Sequence, residues 1–234
     1  MSVFRYNSAG QTLWSQTVDQ GRTRYAYSID GKLRYVQNAK QALTNSFSYT
    51  NYDRVGRPIE TGAFTGSAFD PWAAGTDLNA NFILLGTYDR TFTAYDEPAS
   101  DSPKDQTFTI GKVSKTWNSE STTWFSYNAE GELTWEATTI NGLSNKPKYT
   151  DYTYDLIGNV TKVEYQKNAH EVDKFTHFYT YDFEGNLTTV QTEDAFGNKK
   201  TQAHYTYYQD GSVKEYEIAE GLQNLQYRYT IQSR

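Results

Sequence analysis

Tyr152-Thr153-Tyr154-Asp155-Leu156-Ile157-Gly158-Asn159-Val160 is followed by Tyr179-Thr180-Tyr181-Asp182-Phe183-Glu184-Gly185-Asn186-Leu187, with the two glycines 27 residues apart. Five further segments share the pattern. They carry Tyr6 with Gly10, Tyr27 with Gly31, Tyr52-Asp53 with Gly56, Tyr127 with Gly131, and Tyr207 with Gly211. The shared form is aromatic-x-Tyr-(Asp/Asn)-x-x-Gly-x-(Leu/Val/Ile). Two aromatics at i and i+2 lie on one face of a strand. Asp or Asn then favours a turn by bonding its own nearby backbone. Glycine supplies the positive φ at which the chain reverses. Each copy therefore reads as a β-hairpin. A single hairpin is marginal in water, but hairpins stacked in series bury their faces against their neighbours.

The spacing is near-regular outside one gap. Gly56 and Gly131 stand 75 positions apart, about three periods, so up to two copies are degenerate or replaced there. Phe108-Thr-Ile-Gly111-Lys-Val113 keeps the glycine and the strand after it, without the Tyr-Asp pair. We divide the chain into repeats over 1–60, an irregular insertion over 61–87 and repeats again over 88–234. Within the insertion a short helix is expected near Ala73 to Leu85. Ala99 to Gln106 reads as a polar loop.

Composition narrows the function. The chain has 234 residues, 22 Lys plus Arg against 28 Asp plus Glu, no cysteine and 21 tyrosines. No apolar run approaches the length of a membrane span. A net charge of -6 without a basic block makes nucleic-acid binding unexpected. Without cysteine there is neither a disulfide framework nor a thiolate zinc site. Mean hydropathy is low at -0.80, but the wealth of Tyr, Phe, Trp, Thr and Val argues for a β-rich fold rather than disorder. The N-terminus has no secretory signal. Both ends fall in strand-like sequence, which reads as a piece of a longer protein. The composition suits a secreted or cell-surface parent.

No catalytic, cofactor-binding or metal-binding residue is assigned. His170-Glu171 begins a His-Glu-x-x-His pattern, but position 174 is Lys and no helical periodicity surrounds it. His177 and His204 are expected to precede strands, in packing or solvent-facing roles. Asp155 and Asp182 are expected to serve their turns rather than flank a scissile bond. Asn159-Val-Thr161 and Asn186-Leu-Thr188 match a glycosylation sequon, but the repeat itself imposes both. Trp14, Trp117, Trp124 and Trp135 are less regular than the tyrosines, and we take them as candidate contacts to carbohydrate or a partner protein. The tyrosine four residues before each repeat glycine is expected to pack.

The tandem Tyr-Asp-x-x-Gly motif resembles the YD repeats of the RHS family, over about residues 4–60 and 88–234. Tyr154 to Val160 and Tyr181 to Leu187 carry the resemblance most fully, and Tyr52-Asp53-Arg-Val-Gly56-Arg57 matches the common Tyr-Asp-x-x-Gly-Arg form. The resemblance implies an all-β fold: tandem hairpins in a curved, spiralling antiparallel sheet, an arc of a hollow shell. It further implies a non-enzymatic role in encapsulating or displaying a toxin or other effector. Partners would be the remaining repeats or another chain at the open sheet edges, or an enclosed toxin. Asp70-Pro71-Trp72 is not the Asp-Pro-x-Gly self-cleavage motif that ends such cores. The competing class is a surface module that recognises carbohydrate or protein through Tyr and Trp. Inward packing of Trp14, Trp124 and Trp135 would favour the shell, and a solvent-facing row would favour recognition.

Overall fold

The structure, a computed structural model, describes residues 2–167 and 173–230. His170 and Glu171 lie outside the described residues. The chain is all-β and antiparallel, and it divides into two compact units, Met1–Glu97 with Val113–Thr122, and Pro98–Lys112 with Thr123–Arg234.

The first unit contains β1 (Val3–Tyr6), β2 (Thr12–Thr17), β3 (Gly21–Tyr27), β4 (Leu33–Gln37), β5 (Ser46–Tyr52), β6 (Pro58–Thr65), β7 (Thr87–Tyr95) and β8 (Val113–Trp117). Each strand pairs antiparallel with the next. The face opposite the motif tyrosines holds the core. Ala26 lies opposite Tyr35, Tyr35 opposite Tyr49, and Phe47 opposite Phe64. The stretch after β6 folds onto this face. Phe82 is 5% exposed within the aromatic cluster, with Phe69, Trp72 and Leu78 packed around it.

No helix forms over Ala73 to Leu85. Gly75 takes φ +87, and the side chains of Asp70 and Asp77 accept the backbone N–H groups of Trp72 and Asn79 at 2.9 and 2.8 Å, which builds turns instead. Asn81 then clips the segment to β5, exchanging hydrogen bonds with the backbone N and O of Tyr52 at 3.1 and 3.0 Å. The one α-helix among the described residues is α1 (Ala39–Leu43), opened by a capping box between Asn38 and Gln41.

The second unit contains most of β9 (Ser121–Tyr127), then β10 (Leu133–Ile140), β11 (Ser144–Tyr154), β12 (Val160–Tyr165), β13 (Phe175–Tyr181), β14 (Leu187–Asp194), β15 (Lys199–Tyr207), β16 (Val213–Ile218) and β17 (Gln223–Gln226). These also pair in sequence order. The polar loop at 98–106 lies over Trp124 and Trp135. Gln106 ties it down, accepting from Ala99 N at 2.7 Å and donating to Phe125 O at 2.6 Å. Trp124 Nε1 donates to Asp101 at 3.2 Å.

Candidate functional site

The repeated element is a turn with its own donor–acceptor chemistry. In the Asp182 turn, Oδ1 accepts from the backbone N of Glu184 and Asn186 at 3.0 and 2.9 Å, and Oδ2 accepts from Asn186 Nδ2 at 3.1 Å. Asp155 with Asn159 repeats this arrangement at 2.9–3.0 Å. Asp53 does the same with Arg57, whose Nε donates at 2.7 Å. Where the first residue is Asn, the direction reverses. Asn7 Nδ2 donates to Gln11 Oε1, and Asn128 Nδ2 to Glu132 Oε2, both at 2.6 Å. The residue after the glycine is thus a donor when the turn begins with Asp and an acceptor when it begins with Asn. Gly185 takes φ +84 to close its turn, with its N–H returning to Asp182 O at 3.1 Å.

The carboxyls respond accordingly. The amides of Asn159 and Asn186 hold Asp155 and Asp182 below the usual 3.8. Burial would raise Asp53, but the hydrogen bonds from Arg57 outweigh it and its pKa is lowered. Asp194-Ala195-Phe196-Gly197-Asn198 forms the same turn at the opposite end of β14, with Asn198 Nδ2 at 2.8 Å from Asp194 Oδ2. That copy stands off the repeat spacing and has no tyrosine. The string Asp-x-x-Gly-Asn alone would have found it.

The motif tyrosine joins one hairpin to the one before it. Between hairpins the strand ladder stops four residues past each repeat glycine: at Tyr35–Tyr49, Glu60–Phe92, Lys162–Phe178, Thr189–His204 and Glu215–Gln226. Beyond that point the tyrosine hydroxyl spans the gap and donates to a backbone carbonyl two residues past the preceding glycine. Tyr52 reaches Leu33 O at 2.8 Å, Tyr154 reaches Leu133 O at 2.9 Å, Tyr181 reaches Val160 O at 2.9 Å, and Tyr207 reaches Leu187 O at 2.7 Å. Burial pushes the hydroxyls of Tyr154, Tyr181 and Tyr207 above their usual pKa.

Two tyrosines outside the seven motif copies play the same part. Tyr95 donates to Pro58 O at 2.9 Å and Tyr229 to Val213 O at 3.0 Å. Tyr95 belongs to a copy whose turn has been replaced by a longer loop. Its Asp96 forms a two-pronged ion pair with Arg57 at 2.9 and 2.5 Å.

Threonine fills the bulge that follows the turn. Thr134, Thr161 and Thr188 donate to Ser126 O, Thr153 O and Thr180 O at 3.0, 3.1 and 3.0 Å. This accounts for both sequons, since the asparagine serves the turn and the threonine the bulge.

The four candidate tryptophans do not form a solvent-facing row. Trp124 and Trp135 are only 6% and 4% exposed, which corrects the expectation that they contact a ligand: the loop at 98–106 covers them and leaves no ring face open. Trp14 is half-buried with Arg22 stacked over it at 4.4 Å. Trp117 is half-buried and stacks on Phe92 at 5.2 Å. His177 and His204 lie within β13 and β15 rather than before strands, and His177 stacks on Tyr179 at 6.0 Å. Among the described residues no group of three or more His, Asp or Glu could hold a metal ion, and no helix is long and apolar enough to cross a membrane.

These regular junctions define the fold class, an antiparallel sheet of tandem hairpins. Solved structures that share this fold include TcdB2-TccC3 chains, whose shell is built from RHS/YD repeats. TcdB2-TccC3 without its hypervariable C-terminal region overlays with a TM-score of 0.71 at 15% identity, covering 99% of this chain and 11% of that one. TcdB2-TccC3-TEV gives 0.66 at 15% identity over 93% and 10%. TcdB2-TccC3 itself gives 0.61 at 15% identity over 98% and 12%. At this identity the likeness establishes the fold. The chain spans about a tenth of the length of those chains. No family model matches the sequence, and no curated protein matches it.

Proposed function

We propose that this chain is a non-enzymatic structural segment of a YD-repeat shell, whose parent protein encloses or displays a toxin or other effector and acts outside the cell. The observation that carries this reading is the hydroxyl-to-carbonyl bridge repeated from hairpin to hairpin. Such a joint sets each hairpin against the last through backbone atoms, so the array can be extended whatever the other side chains are. The overlay on TcdB2-TccC3 shell chains supports it. The array divides as repeats over 1–60 and 88–234 with an insertion between them, and its open strand edges would pair with further repeats or another chain.

The test is cryo-electron microscopy of the longest natural polypeptide that carries this array. A β-walled compartment with density inside it is the expected result. A flat or fibrillar sheet enclosing nothing would refute the reading.

A further inference from the structure

Just after β6 the insertion borders a cavity of about 260 Å³. Arg24 of β3 lines it, and its guanidinium is placed unlike those of Arg57 and Arg90. Arg57 pairs with Asp53 and Asp96, and Arg90 pairs with Glu60. Arg24 forms no ion pair among the described residues, although it is half-buried in a chain with more acids than bases. It is held firmly all the same. Gln37 is 6% exposed, and its amide donates to Ser46 O at 2.8 Å, which turns its carbonyl oxygen to Arg24. Arg24 Nε donates to that oxygen at 3.1 Å, and the guanidinium stacks over the Trp72 ring at 4.2 Å.

The same cavity carries the opposite charge. Asp70 of the insertion lines it, with Oδ1 accepting from the backbone N of Trp72 at 2.9 Å and no ion pair among the described residues. Phe47, buried, and Phe69, half-buried, add apolar surface. A cation and an anion thus border one space without pairing with each other. A ligand with only a negative charge would meet Asp70, and one with only a positive charge would meet Arg24. A neutral ligand would strip water from both charges and replace it with nothing. A zwitterion answers both, its carboxylate against the planar fork of Arg24 and its ammonium against Asp70. The volume is below the about 300–1,000 Å³ of pockets that take drug-sized ligands, which suits a molecule the size of one amino acid.

We propose that this cavity is a binding site for a free apolar amino acid. The carboxylate accepts from Arg24, the ammonium donates to Asp70, and the side chain lies on Phe47 and Phe69. The site goes beyond the structural role of the array.

The test is isothermal calorimetry of the whole chain with leucine, methionine and phenylalanine, each beside its N-acetyl form and its amide. At least one free amino acid is expected to bind, and both of its capped forms to bind at least ten-fold more weakly. Asp70→Asn keeps an oxygen for the backbone N of Trp72, so the melting temperature should hold. It should weaken the free amino acid several-fold and strengthen the N-acetyl form, whose carboxylate no longer meets a like charge. Arg24→Gln should weaken both of these and leave the amide unaffected or stronger. Because Arg24 also packs on Trp72, its variant is read beside its melting temperature, and Asp70→Asn is the sharper of the two. Absence of binding by all three free amino acids would overturn the proposal. So would equal binding of either capped form, or an affinity unchanged in both variants.

Discussion

A tyrosine hydroxyl that spans two hairpins has a measurable worth. Tyr181→Phe removes the bond to Val160 O and leaves the ring in place. Loss of one such bond costs about 1 kcal/mol, which lowers the melting temperature of a chain this size by about 2–4 °C. Tyr27→Phe should leave it unchanged, because the Tyr27 hydroxyl holds no hydrogen bond among the described residues. Thermal denaturation of the two variants side by side decides the point. The turn obeys a second residue-scale rule. Asp182→Asn sets an amide against the amide of Asn186 and should destabilise. Asn186→Gln added to it recreates the neutral Asn7–Gln11 pair and should restore most of the loss, giving a clear coupling in a double-mutant cycle. Acid should act on the same groups. Asp155, Asp182 and Asp194 are held below 3.8, chiefly by the amides of Asn159, Asn186 and Asn198. A carboxyl with a depressed folded pKa stabilises above its unfolded value and ceases to as pH falls through the folded one. Melts should therefore hold from pH 7 to about 4 and fall steeply below it, less so in the variant that combines Asp182→Asn with Asn186→Gln.

At the scale of elements, the well-buried side chains are mostly not those the repeat displays. Six of the motif tyrosines are half-buried and Tyr6 is exposed, while the fully covered rings Tyr35, Phe47, Tyr49 and Phe64 face the other way and meet Phe82. Arg34 shows how closely the insertion is fitted. It is the extra residue of the bulge after Gly31 and is 3% exposed. Its guanidinium donates to Asn51 Oδ1 at 3.1 Å, to Ala80 O at 2.8 Å and to Asn81 Oδ1 at 3.2 Å. Phe82→Ala should cost about 3–5 kcal/mol and increase binding of a hydrophobic dye, readable by denaturant titration and fluorescence. The insertion was legible in sequence as an interruption of the repeat, but its role was not. Phe69, Trp72, Leu78 and Phe82 follow neither a strand nor a helix period, so no pattern announced that they share one face. The polar loop at 98–106 escaped for the same reason: its Asp101 and Gln106 act through contacts with β9, far along the chain.

At the scale of the whole molecule, a sheet built by adding hairpins in sequence order has mostly neighbour-to-neighbour contacts, and its stability is close to a sum of local terms. Each unit also has its own buried cluster, one around Phe82 and one around Trp124 and Trp135. Phe82→Ala should therefore speed amide exchange in β3–β6 and leave β10 and β11 protected, as hydrogen-exchange mass spectrometry would show. Equal loss of protection everywhere would mean one cooperative block. The sequence by itself determined the all-β class, the hairpin as building unit and the position of seven turns, because turn chemistry and strand alternation are local and recur in every copy. Tertiary structure alone decided what the motif tyrosine bonds, that Tyr95 and Tyr229 are its hidden equivalents, and that Trp124 and Trp135 are covered. Each of these depends on which atoms of another hairpin or an insertion arrive within about 3 Å, and residue spacing along the chain does not encode that meeting.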